Sequence, residues 1–177
     1  MHVAKPTHLT PQAGFTLIEL IMVIVLLGVL AATAAPRFIN VSSEANTAVL
    51  KAMGGAIRSA ASMVYAKSLI QGVSGSVLAN IDLNGDGSPD IETRYGYPSG
   101  SRDIGISKAM EDSLATDWMW STDYARTKFY LTNASFVHTS GLYINQVPIV
   151  ATNCYLIYHR AVNAQTPATL EYVTSGC

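Results

Sequence analysis

The segment from Phe15 to Ala35 constrains this chain most. It reads FTLIELIMVIVLLGVLAATAA, which is 21 residues with a single charged side chain, Glu19. A helix of that length spans the hydrocarbon core of a bilayer, which is about 30 Å thick. A secretory signal peptide has a shorter apolar region, followed by small residues. Here the small pair Ala13-Gly14 precedes the segment, so the sequence predicts a membrane anchor. Composition alone fits a plain signal anchor equally well.

Glu19 sets the segment apart from such an anchor. A carboxylate inside an apolar span costs about 2.5–3.5 kcal/mol on insertion scales, and such residues usually have a partner. The sequence has no Lys, Arg or His between Phe15 and Ala35. The partner is then expected from another chain, or from an amine at this chain's own processed terminus. Alternatively, Glu19 reaches the lipid headgroups from its place near one end of the span.

A second helical segment follows Pro36, which is expected to bend the helix because proline removes a backbone hydrogen bond. Apolar residues recur every three or four positions up to about Gln71, before Gly72. This spacing predicts an amphipathic helix that supports a globular head. The predicted stripe comprises Val41, Ala45, Ala48, Val49, Ala52, Met53, Ala56, Ile57, Ala60 and Val64.

The remainder of the chain has two patterns. Residues 72–127 have loop character, with one short helix expected over 107–114, capped by Ser107. From Lys128 onward, short β-branched and aromatic runs predict four antiparallel strands, roughly 128–132, 135–144, 154–162 and 169–174. Trp118 and Trp120 are expected to pack against this sheet, with a surface contact as the alternative. The predicted fold class is therefore α+β, a long N-terminal α-helix packed on an antiparallel β-sheet.

Charge and motifs argue against two classes of function. There are 11 basic and 12 acidic side chains and no basic run, so nucleic acid is a poor partner. The sequence has no HExxH, no G-x-S-x-G and no phosphate-binding loop. Cys154 and His159 are an odd number of positions apart, which places them on opposite faces of a strand. The sequence therefore does not predict an enzyme.

The two cysteines, Cys154 and Cys177, predict a disulfide. Both follow the membrane segment, in what would be an extracytoplasmic domain, where disulfides persist. The bond would close a loop of 24 residues and stabilise the fold by about 3 kcal/mol in the loop-entropy account. Two free thiols are the alternative.

A calcium site is predicted in the loop DLNGDGSPD, which matches the first nine positions of an EF-hand loop. Alternating side-chain oxygens and a carbonyl can surround one Ca²⁺. The twelfth position is Thr93, where an EF-hand has a bidentate Glu, and the alternative is an acidic turn without metal. The expected ligands are Asp82, Asn84, Asp86, Ser88 and Asp90.

The start of the chain resembles the type IV pilins and pseudopilins. The residues that carry the resemblance are the short leader, the sequence GFTLIE over 14–19, the apolar run and Pro36. Residues 34–40 and 94–98, with the CY and SGC sequences near the C-terminus, resemble the mannose-sensitive haemagglutinin (MSHA) branch. The resemblance implies five parts: a leader over 1–14, a membrane and filament-core helix over 15–35, an amphipathic half over 36–71, an αβ-loop over 72–127, and a disulfide-closed sheet over 128–177.

The resemblance also implies a mechanism. A prepilin peptidase in the inner membrane cuts between Gly14 and Phe15 and methylates the new amine. Subunits wait in the membrane with the head in the periplasm, and assembly machinery then extracts them into a surface filament of identical or related subunits, for adhesion or biofilm formation. Glu19 is expected to act in assembly, and Gly28 with Pro36 to mark where the helix bends or melts.

Two other functions share some of these features. A pseudopilin of a type II secretion system has the same N-terminus but forms a short periplasmic stub. A single-pass anchored periplasmic binding domain would keep its leader and would not need Glu19.

Overall fold

The computed structural model describes residues 14–138, 141–142 and 145–177, and for residues 35–40 it describes only the helical backbone. One long helix, α1 (Leu17–Ile70), begins the fold, close to the predicted limits. The described residues divide into two units, one ending at Val41 and the other running from Ser42 to Cys177. We call the second unit the head.

The head has more strands than the sequence predicted. Its small sheet has the antiparallel order β1-β2-β3 and its large sheet the order β6-β4-β5-β7-β8, antiparallel except for the β4–β6 pair. The strands are β1 (Ala79–Ile81), β2 (Ile91–Arg94), β3 (Tyr97–Pro98), β4 (Trp118–Thr122), β5 (Lys128–Asn133), β6 (Gly141–Leu142), β7 (Tyr155–His159) and β8 (Thr169–Val173). Three short helices are α2 (Ile106–Ala109), α3 (Glu111–Leu114) and α4 (Val147–Ala151).

Two parts of the strand prediction are wrong. One strand over 135–144 is not found: a 3-10 turn at Ala134–Phe136 precedes β6, whose described residues are Gly141 and Leu142, and positions 139–140 and 143–144 lie outside the described residues. Residues 72–127, expected as loop, contain four strands, because two- to five-residue strands carry too little periodicity to be recognised. The predictions near β5, β7 and β8 are confirmed within a few residues.

The large sheet has a packed core on each face. Residues of α1, α2 and α3 cover one face, where Phe129, Leu156 and Tyr158 are buried. The other face packs against α4 and buries Tyr130 and Ile157. Successive side chains along β5 and β7 point to opposite faces of the sheet, and each face has its own core. Almost every position of these two strands is therefore apolar. The α+β architecture is as predicted.

The buried stripe of α1 differs from the predicted one. Met53, Ile57 and Val64 are buried as expected, and Ala60 is half-buried. Leu50 and Ala61 are buried although the prediction omitted them. The helix is apolar around much of its circumference, so the period alone did not identify the buried side. The predicted positions that are not buried are Val41, Ala45, Ala48, Val49, Ala52 and Ala56.

Two serine hydroxyls hold the loop that follows β3, one by a bond to the small sheet and one by a bond from α2. Ser101 Oγ donates to Glu92 Oε1 at 2.7 Å, and Ser107 Oγ donates to the carbonyl oxygen of Arg102 at 2.6 Å. Ser107 was predicted to be a helix N-cap, which is wrong: Gly105 occupies that position. The Ser107 hydroxyl instead donates its hydrogen bond to a backbone carbonyl of the loop before the helix. Trp118 is buried and Trp120 is half-buried against the same core, as the packing prediction expected.

The adjacent glycines of α1 offer a matched test of this packing. A Cβ on Gly55 would meet nothing within 4 Å, whereas a Cβ on Gly54 would overlap Tyr172 Oη and lie 2.8 Å from its ring carbons. Gly55→Ala should raise the free energy of unfolding of the head by about 0.5–1 kcal/mol, because alanine favours helix. Gly54→Ala has the same helical gain but must displace the ring, so it should be less stable than Gly55→Ala by about 1–3 kcal/mol.

Denaturant unfolding of the full chain in detergent, followed by tryptophan fluorescence, measures both variants. Equal stabilisation by the two substitutions would contradict the packing of Tyr172 against Gly54.

Candidate assembly surface

A capping box begins α1. Thr16 precedes the first helical residue, and its backbone N–H donates to Glu19 Oε2 at 2.9 Å. Its hydroxyl also lies 2.8 Å from that oxygen, and the Glu19 N–H donates to the same hydroxyl at 3.3 Å. This reciprocal arrangement satisfies N–H groups that have no intrahelical partner. The sequence analysis did not predict this capping box, although the T-x-x-E spacing before an apolar run indicates one.

The first part of the helix that follows the capping box buries none of its apolar side chains among the described residues. The span Leu17–Ala34 has a mean hydropathy of 2.7, and none of it is buried. By length and composition, it is the one helix in the described ranges that could cross a membrane. Exposure of this much apolar surface is not stable in water, so a lipid or protein environment must cover the segment.

The bond expected to be cut lies just before this helix. Gly14, Phe15 and Thr16 are outside any helix or strand, and Phe15 is 94% exposed. An exposed peptide outside regular structure is accessible to a protease. Of the predicted leader over 1–14, residues 1–13 lie outside the described residues, so cleavage stays a prediction.

Gly28 and Pro36 were predicted to mark a bend. Gly28 lies inside α1 with open space around it, and α1 is assigned as helix through position 36. The Pro36 side chain belongs to the range where only the backbone is described. A bend or local melting in an assembled filament therefore stays a prediction.

The predicted disulfide is present. Cys154 Sγ and Cys177 Sγ are 2.06 Å apart, so neither thiol is free. The carbonyl oxygen of Cys177 accepts a hydrogen bond from Asn46 Nδ2 of α1 at 2.9 Å. The disulfide joins the last residue to the start of β7, and Asn46 ties the same residue to the helix. His159, which the rejected catalytic pair would use, instead contacts Glu171 at 2.9 Å.

The predicted calcium ligands are engaged with their own loop. Asp82 Oδ1 accepts the Gly85 N–H at 2.6 Å and Oδ2 accepts the Gly87 N–H at 2.8 Å. These two backbone hydrogen bonds, from Gly87 first and then Gly85, lower the pKa of Asp82. Asp90 Oδ2 accepts the Leu83 N–H at 2.9 Å.

Asn84 and Asp86 make similar local turns. Asn84 Oδ1 accepts the Asp86 N–H at 2.9 Å, Asp86 Oδ1 accepts the Ser88 N–H at 2.7 Å, and Asn84 Nδ2 donates to Asp86 Oδ2 at 3.0 Å. Across residues 14–138, 141–142 and 145–177, no group of three or more His, Cys, Asp or Glu is placed to hold a metal ion. Each carboxylate oxygen keeps a second lone pair, so calcium binding stays a prediction.

An exposed N-terminal helix without a core of its own, joined to a disulfide-closed α+β head, defines an anchored subunit whose apolar helix must be covered by other molecules. The family described as "Prokaryotic N-terminal methylation motif" matches residues 9–35. The "Type IV narrow pilus major component PilA5" of Thermus thermophilus is 34% identical over 103 residues, which are 58% of this chain and 74% of that protein. No solved structure matches this chain.

This chain belongs to the type IV pilin family. It is a pilin-like subunit of a pilus, and the family is structural rather than enzymatic. Its N-terminal helix fits membrane anchoring before assembly into a surface filament with other pilin subunits.

Calcium binding can be tested directly on the 82–90 loop. If the loop binds Ca²⁺, calorimetry on the full chain in detergent should show one Ca²⁺ bound, because the free lone pairs of Asp82 and Asp86 would face one centre. Asp82→Ala should abolish the heat, whereas Asp112→Ala, which removes an acid outside the loop, should not. The absence of heat at millimolar Ca²⁺ would show that this is an acidic turn without metal.

Proposed function

We propose that this chain is a subunit that polymerises through its N-terminal helix into a type IV pilus. The exposed apolar surface of Leu17–Ala34 carries the proposal. At about 25 cal/mol per Å² of apolar area, leaving that helix in water would cost tens of kcal/mol. A bilayer covers it before assembly, and bundled helices of neighbouring subunits cover it in the filament.

The proposal includes a processing step. A prepilin peptidase cuts the Gly14–Phe15 bond and methylates the new amine, while the inner membrane holds residues 15–35 and the head lies in the periplasm. The exposed, non-helical position of that bond supports this step, as does the methylation motif over residues 9–35. Assembly machinery then transfers the subunit from the membrane to the filament.

Glu19 has a role in assembly under this proposal. Its carboxylate becomes costly once the helix is buried in a bundle, because a charge in a low-dielectric environment requires compensation. After cleavage, the Phe15 amine of the same or a neighbouring subunit is the nearest cation along the helix. The capping contacts with Thr16 use Glu19 Oε2, and they stabilise the start of the helix in a single chain.

We further propose that the filament is an extended surface fibre of the MSHA type that acts in adhesion or biofilm formation. The residues that resemble the MSHA branch support this assignment, and the relative from Thermus thermophilus is itself a pilus component. The same N-terminus occurs in type II secretion pseudopilins, so the length of the fibre decides between the two.

Immunogold labelling with mass analysis tests the function. Extended fibres on the cell should carry the label along their length, and they should be lost when the gene is deleted. Isolated subunits should begin at methylated Phe15. Short periplasmic assemblies with a protein-export defect would instead identify a pseudopilin, and a mature chain that begins at Met1 would contradict polymerisation.

A set of three variants separates the charge of Glu19 from its capping role. Glu19→Gln keeps a capping-box acceptor but removes the charge, Glu19→Ala removes both, and Thr16→Ala removes the cap but keeps the charge. If the charge acts in assembly, both Glu19 variants should lower fibre number about tenfold or more, and Thr16→Ala should assemble close to normally.

Fibre number by electron microscopy, normalised to the amount of processed subunit in the membrane, measures this effect. Normal assembly of Glu19→Gln, with loss in both Glu19→Ala and Thr16→Ala, would assign Glu19 to helix capping alone.

A further inference from the structure

A hydrogen bond from Asn46 of α1 connects the long helix to the disulfide. Asn46 Nδ2 donates to the carbonyl oxygen of Cys177 at 2.9 Å, across 131 positions of the chain. Cys177 is bonded in turn to Cys154, the residue just before β7, and β7 is an interior strand of the large sheet. A helix side chain, a covalent bond and the sheet therefore form one continuous connection within the head.

This contact lies where α1 begins to pack in the head. Within the head, residues 42–45 of the helix are exposed, and Asn46 and Thr47 are the first that are half-buried. Leu50, one turn after Asn46, is 2% exposed. Residues four positions apart are neighbours on one side of a helix, so Asn46 and Leu50 face the head together. Asn46 therefore occupies the boundary between the exposed and the packed helix.

The helix itself gives no reason for an asparagine at this position. Asparagine has a lower helix propensity than alanine, because its amide competes for backbone hydrogen bonds. The neighbouring residues Ala45 and Ala48 are strong helix formers. The bond to Cys177 gives the Asn46 amide a partner elsewhere in the fold, so the tertiary contact accounts for the residue.

The acceptor of this bond has a fixed position. Thr132, which is fully buried in β5, donates its hydroxyl to the carbonyl oxygen of Cys154 at 2.6 Å. The Gly176 N–H donates to the carbonyl oxygen of Asn153 at 2.8 Å. A Cβ on Gly176 would overlap the carbonyl oxygen of Thr152, so this segment lies tightly against the turn before β7.

The disulfide and the first packed turn of α1 belong to the same core. Leu50, Trp118 and Cys154 are members of one buried apolar cluster, and Cys177 packs against it. Asn46 lines a small cavity together with the same three residues. Loss of the disulfide would therefore loosen the surface on which the first packed turn of the helix rests.

We propose that Asn46 is a clasp that holds α1 at the point where its packing begins, and that the Cys154–Cys177 bond keeps this clasp in place. Unpacked ends of secondary structure open at little cost in free energy. With the clasp closed, unwinding of the exposed helix stops at Asn46. With the clasp open, unwinding extends to the turn of Leu50.

The clasp lies within one chain and does not depend on polymerisation. Under the proposed function, the first half of α1 passes from the membrane to a filament and is expected to bend or melt near Gly28 and Pro36. The clasp then limits how far such melting extends, which protects the part of α1 that carries Leu50 and Ile57 into the core.

Hydrogen exchange of the full chain in detergent, measured by mass spectrometry, tests the clasp. Labelling is kept short enough that residues 54–64 of the unchanged chain stay protected. Asn46→Asp keeps the shape of the side chain but removes the donor, and it should speed exchange over residues 42–50 about fivefold. Residues 54–64 should stay protected in this variant.

A matched pair of alanine substitutions separates the clasp from helix propensity. Both Asn46→Ala and Ser43→Ala introduce a better helix former, which by itself slows exchange. Ser43 is exposed, so Ser43→Ala should exchange no faster than the unchanged chain. Asn46→Ala should exchange faster over residues 42–50, because the loss of the clasp opposes the gain in propensity.

The role of the disulfide is tested by combining substitutions. Cys154→Ser/Cys177→Ser should also speed exchange over residues 42–50, and adding Asn46→Asp should then change the rate less than twofold, because the two act through one contact. Tryptophan fluorescence establishes that each variant is folded. Should the serine pair not fold, reduction of the folded disulfide in the unchanged chain and in Asn46→Asp gives the same comparison.

Three results would overturn the proposal. Unchanged exchange over residues 42–50 in both Asn46→Asp and Asn46→Ala would show that there is no clasp. Simultaneous loss of protection over 42–50 and 54–64 would assign Asn46 to the stability of the whole head. Independent, multiplying effects of Asn46→Asp and of disulfide loss would separate the bond from the disulfide. None of these results depends on fibres, so a failure of the polymerisation proposal would leave them unchanged.

Discussion

The exposed apolar surface of the first half of α1 is the constraint on which the rest of this protein depends. Between Leu17 and Ala34 the helix is strongly apolar, and none of it is buried among the residues that the structure describes. Its backbone is satisfied by helical hydrogen bonds, so it is stable in lipid. In water, the same segment needs other helices around it. The apolar surface of this segment is therefore covered only in a membrane or in an assembly.

The head, unlike the first half of α1, buries its own apolar side chains. Residues 42–177 bury their own cores on both faces of a five-stranded sheet, and the Cys154–Cys177 bond closes the C-terminal segment. A self-sufficient head allows the subunit to exist folded before it is assembled. This division explains why the two halves of one helix, α1, have opposite burial: the first half has no core, and the second contributes Leu50, Ile57 and Val64 to the head.

Polar groups make directional contacts, which the burial of apolar surface does not provide. At the start of α1, Thr16 and Glu19 form a closed capping box, which keeps a carboxylate ordered at the end of an apolar helix. On the head, the carboxylates of Asp82, Asp86 and Asp90 accept hydrogen bonds from backbone N–H groups of their own loop. Apolar contacts between helices are non-directional, whereas these hydrogen bonds fix the distance and angle between the groups that they join.

The sequence by itself determined the N-terminal motif, the length of α1, the disulfide and the strands near β5, β7 and β8. These features depend on local order: an uninterrupted apolar run, two cysteines with one possible pairing, and runs of β-branched and aromatic residues. The tertiary structure decided which side of α1 is buried, because apolar residues such as Val49 and Leu50 are adjacent and only packing distinguishes them. It also decided the small sheet and the parallel pairing of β6 with β4. Those features arise from pairings between residues far apart in the chain, where the local pattern is too short to determine the partner.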